Sequence, residues 1–113
     1  MAGKSLKRLR VEPCDDQCPV ARTARLIEGK WTTRIVRDLL AGKKRYSELQ
    51  RSLAGISPKV LAGRLRFLED ERIIAKTTYP VVPPRTEYCL TKRGLKLRGV
   101  IAAMARFGSS ELD

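Results

Sequence analysis

The chain has 113 residues, enough for one compact domain and too few for two. Lys and Arg number 24 against 12 acidic residues, and the net charge of +12 favours a polyanionic partner, nucleic acid ahead of an anionic membrane. No stretch approaches the roughly 20 apolar residues that span a bilayer, and the absence of histidine removes the commonest general base and the commonest transition-metal ligand.

Residues 1–16 mix charges with Pro13 and show no sustained period, which predicts a flexible basic arm. After Cys18-Pro19, the spacing of Val20, Ala24 and Ile27 predicts a short helix to Glu28, interrupted by Gly29. Trp31, Ile35, Val36, Leu39 and Leu40 form the apolar stripe of a second helix, with Gly42 as its C-cap signal. Ser47 is placed to cap a third helix ending at Ser52 or Leu53, before Gly55. Ser57-Pro58 restarts the chain with an N-cap and a proline at the first helical position. Two helices joined by so short a glycine-containing turn predict a helix-turn-helix.

In the helix from Pro58 to about Arg72, a wheel at about 100° per residue gathers Leu61, Leu65, Leu68 and Arg72 on one arc, facing the core. The opposite face carries Lys59, Val60, Gly63 and Arg66, with Ala62 at its border and Arg64 nearer the flank. A major groove admits a helix with a slim face and long cations, and this face has both; an ordinary solvated face is the alternative. From Ile73 the pattern turns strand-like through Tyr79, and Thr86 to Leu90 is a second extended run. Between them, the proline-rich stretch Pro80 to Arg85 reads as the tip of a β-hairpin wing along the DNA backbone, or else as a rigid loop without contact.

Thr91 is expected to cap a long helix through about Phe107, with Leu97, Val100, Ile101, Met104 and Phe107 as its apolar face and 109–113 as a tail. A small winged domain has little core left for so much apolar surface. Those residues, with Val20 and Ile27 of the first helix, are therefore assigned to a homodimer interface, packing within the chain being the alternative. The expected fold class is α+β, mainly helical: a winged helix-turn-helix over residues 17–108 with additional N- and C-terminal dimerisation helices.

Several local signatures coincide in register: Cys18-Pro19-Val20 with Gly29-Lys30-Trp31, Arg45-Tyr46-Ser47-Glu48-Leu49, Ile56-Ser57-Pro58-Lys59 leading to Leu61, Leu65 and Leu68-Glu69, Pro83-Pro84-Arg85, and Glu87-Tyr88-Cys89-Leu90-Thr91 with Gly94. Together they resemble the HxlR-type family of prokaryotic winged helix-turn-helix regulators, from about Cys18 to Phe107. The resemblance implies a dimeric regulator of transcription acting on a palindromic operator in double-stranded DNA. Its recognition surface would comprise Ser57, Lys59, Gly63, Arg64 and Arg66, with Arg45 and Arg85 gripping phosphate from the flanks. The chain departs from the family pattern at Arg72, where glycine is usual, and at Ala62, where a small hydroxyl residue is common.

Some members of that family sense oxidants or electrophiles through the cysteine equivalent to Cys18. Cys18, with Cys14 four residues earlier, is thereby a candidate redox-sensing residue, and an oxidant or another small molecule a candidate effector; a small packed side chain is the alternative. The odd cysteine count and the lack of an export signal lead us to expect a cytoplasmic protein with thiols reduced in the ground state. No glycine-rich phosphate loop, activated serine or set of four soft metal ligands is present, so no enzyme activity, cofactor or metal is expected. The competing functions are a nonspecific architectural DNA-binding protein and an interaction module whose wing recruits another protein. The few aromatic residues offer no stacking platform for single-stranded RNA.

Overall fold

The computed structural model describes residues 17–112, which form α1 (Pro19–Ile27), α2 (Thr32–Leu40), β1 (Lys44–Arg45), α3 (Tyr46–Ser52), α4 (Pro58–Asp70), β2 (Ile74–Tyr79), β3 (Arg85–Leu90), α5 (Lys92–Leu95) and α6 (Arg98–Glu111). The three strands make one antiparallel sheet in the order β1-β3-β2. This is the expected mainly helical α+β class with a winged helix-turn-helix. No helix among the described residues is long and apolar enough to cross a membrane. The basic arm expected over 1–16 lies outside the described residues.

Local chemistry fixes several helix starts. Ser57 is extended (φ −78°, ψ 153°) and its Oγ accepts from the Val60 N–H at 3.1 Å, with Pro58 beginning α4. The third helix begins earlier than expected: Arg45 is its N-cap residue and Ser47 lies inside it. The Arg45 N–H donates to Glu48 Oε1 at 2.7 Å, so the acid in the first turn supplies the satisfaction expected from a serine. Arg45 is directed there by long-range pairing, with Lys44 opposite Tyr88 and Arg45 opposite Glu87. No local pattern marks β1, a strand of two residues that exists only because β3 passes beside it.

The core joins Ile35, Val36 and Leu39 of α2, Leu49 of α3 and Leu61, Leu65 and Leu68 of α4 to Leu53, Ile56, Ile73, Ile74 and Tyr88. Full burial of each aliphatic side chain contributes about 1.5–3 kcal/mol before conformational entropy is charged against it. Two side chains brace the helix-turn-helix corner: Gln50 Nε2 donates to the Ile56 carbonyl at 2.7 Å, and the Tyr46 hydroxyl to the Pro58 carbonyl at 3.3 Å. They tie α3 to the start of α4 across the turn.

Arg72 does not extend the buried arc of α4. The helix ends at Asp70, and Arg72 is exposed in the left-handed region at φ 60°. The long C-terminal helix is also divided. Thr91 caps only α5, and i→i−3 hydrogen bonds from Lys96 to Arg93 (3.2 Å) and from Leu97 to Gly94 (3.0 Å) tighten the chain before α6 begins. Packing imposes this break. Gly94 sits so close to the Ile73 carbonyl that a Cβ would overlap it, and Leu97, expected at a dimer interface, is 8% exposed in the core of its own chain. Val100 and Ile101 lean on that core, as Ile27 does from α1. Beyond them α6 carries no buried residue and runs on to Glu111, into the stretch expected to be a tail.

Candidate nucleic-acid interface

Helix α4 divides as its wheel predicts. Leu61, Leu65 and Leu68 are buried, while Lys59, Val60, Ala62, Gly63 and Arg66 are exposed on the outer side. A Cβ placed on Gly63 would meet nothing within 4 Å, so packing inside this chain does not require a glycine there. Its absent side chain thins the outer face between Lys59 and Arg66 and permits close approach from outside. Ser57, exposed at the head of the helix, has its Oγ engaged as an acceptor by the cap and keeps its O–H as a donor. Arg64 differs from the other cations: it is half-buried, with Cζ 5.3 Å from the Phe67 ring centroid, and belongs to the flank of the helix.

Strands β2 and β3 make the wing, joined by the exposed residues 80–84 with a cis Val82–Pro83 peptide. Arg85 opens β3 and pairs with Tyr79, while Thr77 and Arg45 flank Glu87 on either side. Directly opposed residues and residues two apart along a strand share a sheet face. Tyr79, Arg85, Glu87 and Arg45 therefore lie on one face, and the buried Tyr88 lies on the other. The two flanking arginines of the sequence reading are thus brought together. With Tyr46, Ser47, Pro84 and Thr86 they line a concavity of about 370 Å³ between the start of α3 and the base of the wing.

Glu87 organises that face. Its Oε1 accepts from the Tyr79 hydroxyl at 3.1 Å and lies 3.8 Å from Lys43 Nζ, and its Oε2 lies 3.8 Å from Arg85 Nε. The Arg85 guanidinium covers the Tyr79 ring, with Cζ 4.8 Å from the centroid. Glu87 belongs to one of the local signatures in the sequence, but neither it nor Tyr79 is assigned a role there. The alternation Arg85-x-Glu87 held the signal, but it becomes readable only once β1 is known to lie against β3. On the opposite face, burial pushes the Tyr88 phenol above its ordinary value of 10.0, with Glu69 and then Tyr46 adding to the rise.

The candidate redox residue is placed at a helix start. Cys18 is the N-cap of α1, and its Sγ accepts from the Ala21 N–H at 3.3 Å. Against the expectation of reduced thiols, Cys18 is disulfide-bonded, whereas Cys89 is a free, half-buried thiol. Cys14 lies outside the described residues. Of the residues assigned to a dimer interface, Met104 and Phe107 are 46% and 58% exposed and Val20 more so. Neither α1 nor α6 has a buried residue.

The chain is similar in sequence and fold to known proteins. The family model for the HxlR-like helix-turn-helix matches residues 26–113. The HTH-type transcriptional regulator sll1512 of Synechocystis is 37% identical over 112 residues, covering 96% of this chain and 83% of the relative. A solved structure from Porphyromonas gingivalis W83, described as a transcriptional regulator of the MarR family, superposes with a TM-score of 0.85 at 40% identity, covering 89% of this chain and 99% of that one. The redox regulator HypR in its oxidised form gives a TM-score of 0.79 at 36% identity, over 85% of this chain and 99% of that one.

Proposed function

The chain belongs to the HxlR-like helix-turn-helix family, whose relatives are transcriptional regulators, and from that premise we propose that it is a sequence-specific regulator that binds a palindromic operator in double-stranded DNA as a homodimer. The observation that carries this reading is the outer face of α4. Glycine stands there without an internal packing reason, between Lys59 and Arg66, on a helix whose other side is anchored by three buried leucines. Ser57, Lys59, Gly63 and Arg66 are assigned to the groove, Arg64 to its edge, and Arg45 and Arg85 to the phosphate backbone.

The homodimer reading rests on α1 and α6, two helices without buried residues whose apolar side chains include Val20, Met104 and Phe107, with Ile27, Val100 and Ile101 beneath them. A two-fold dimer would present two α4 helices to half-sites about one helical turn apart. Thiol-redox control is the finer part of the proposal. Cys18 is the N-cap of α1, so a change in its thiol state would act at the entry to the element assigned to the interface. HypR, a redox regulator, supports that reading by likeness.

Fluorescence anisotropy of the reduced protein, using DNA from upstream of its own gene and a scrambled duplex across a salt series, tests the reading. A preference of at least about a hundredfold near physiological salt is expected. Equal affinities that collapse together as salt rises would favour the architectural alternative, which the net charge of +12 already recommends. Light scattering that finds a monomer at micromolar concentration would remove the dimer. An unchanged response to diamide in the Cys18→Ser variant would remove the redox element.

A further inference from the structure

We propose that Glu87 is a positioning residue for backbone recognition: it fixes Arg85 so that the guanidinium groups of Arg85 and Arg45 converge on one phosphodiester group. The inference rests on the DNA-binding reading above and assigns to Glu87 a role that neither sequence nor family description supplies.

An acidic side chain on a surface meant for phosphate is at first sight misplaced, since it repels the ligand. Here the carboxylate is only 17% exposed and its charge is answered from three directions, by the Tyr79 hydroxyl, Lys43 Nζ and Arg85 Nε. What it does to Arg85 is specific. The Nε edge of the guanidinium is turned to Glu87 at 3.8 Å and one face of its plane is covered by the Tyr79 ring, which leaves the two terminal nitrogens as the edge of the fork without a partner among the described residues. Sheet register completes the arrangement. Arg45 is the direct cross-strand partner of Glu87, and Arg85 is two residues from Glu87 on the same face; both cations also line the concavity of about 370 Å³.

A free arginine loses much rotamer freedom when it binds, and one already held by a carboxylate and an aromatic face loses less. Glu87 thus exchanges some long-range attraction for a preformed contact. Tyr79 acts through Glu87 and the ring face, not by touching DNA.

The test is a mutant cycle read by the salt dependence of binding to a scrambled duplex, with thermal unfolding run on every variant. Each phosphate neutralised contributes about 0.9 to the slope of log affinity against log salt. If Arg45 and Arg85 share a phosphate, the Arg45→Ala, Arg85→Ala double variant loses about 0.9 per protomer, or about 1.8 for a bound dimer; a loss of about 1.8 per protomer would assign them separate phosphates and overturn the proposal. Glu87→Gln should weaken binding by about threefold although it removes a negative charge, and in the Arg85→Ala background the same substitution should weaken binding no further. Tighter binding with a steeper slope in Glu87→Gln would reduce Glu87 to a screening charge and overturn the positioning role. Tyr79→Phe, which alters no charge, should weaken binding in the same direction; if the Glu87 variants fail to fold, an unchanged affinity in Tyr79→Phe overturns the proposal. Because the probe is a scrambled duplex, the absence of operator preference would sink sequence-specific regulation without touching this result, and additive slopes would sink the shared contact alone.

Discussion

Thr91 and Arg72 close the join between the recognition helix and the wing: Thr91 Oγ1 donates to the Arg72 carbonyl at 2.6 Å and accepts from the Gly94 N–H at 3.0 Å. One hydroxyl thus caps α5 and holds the turn that follows α4. Arg72 stands there at φ 60°, a conformation that costs an L-residue about 1–2 kcal/mol. Thr91→Val should lose the cap and destabilise by about 1–2 kcal/mol. Thermal midpoints at position 72 should rank glycine above arginine and arginine above valine, with Arg72→Gly gaining about 0.5 kcal/mol after its unfolded-state entropy is counted. A midpoint for Arg72→Val equal to that of the parent would show that the strain is not felt.

Gly94→Ala should destabilise by about 1–3 kcal/mol, because the added methyl would overlap the Ile73 carbonyl and crowd Leu90 Cδ2 at 3.0 Å. Gly63→Ala, where the same methyl meets open space, should leave stability unchanged or raise it by up to about 1 kcal/mol while weakening operator binding. Urea unfolding and anisotropy on the two variants separate an internal need for glycine from an external one.

Thr32 is fully buried, and its Oγ1 has no hydrogen-bond partner among the described residues. Thr32→Val replaces that hydroxyl by a methyl of the same shape and should stabilise by about 1 kcal/mol in chemical denaturation. A loss of stability would mean that the hydroxyl is satisfied in solution.

Arg66→Ala should relax base preference at one operator position, where a mismatch ordinarily costs about 1–3 kcal/mol. Competition with single-base operator variants reads this directly. A uniform loss across all sequences would move Arg66 from base edge to phosphate.

The Tyr88 phenol titrates above its unfolded value of 10.0, chiefly because it is buried. Its contribution is fully present below that value and is lost as pH rises through the higher folded value, since the unfolded chain gives up the proton first. Stability should therefore fall at alkaline pH, and Tyr88→Phe should flatten the decline. Thermal midpoints from about pH 8 to 11 check this, and parallel curves for the two proteins would deny Tyr88 the effect.

The elements with short-range causes were legible in the sequence. Ser57-Pro58 marks the start of α4 because a cap and a first-position proline act within one turn, and the buried arc of Leu61, Leu65 and Leu68 follows from helical period alone. The hairpin was legible for the same reason, from β-branched runs on either side of prolines. Misplaced boundaries mark where distant residues intervene. Ser47 looked like a cap until the pairing of Arg45 with Glu87 started the helix earlier, and Arg72 looked like the end of the buried arc until the Thr91 hydroxyl held its carbonyl outside the helix.

Periodicity, caps and composition determined that this chain makes a helix-turn-helix with a wing and a cationic outer face, because those signals act over a few bonds or on the summed charge. Only the tertiary structure decided that Leu97 belongs to the core, that the C-terminal helix breaks after Leu95, and that Arg45, Arg85 and Glu87 meet on one sheet face. The physical reason is common to all three: each depends on contact between segments far apart in the chain, the Ile73 carbonyl against Gly94 or β1 against β3, and local propensity contains no term for such contacts.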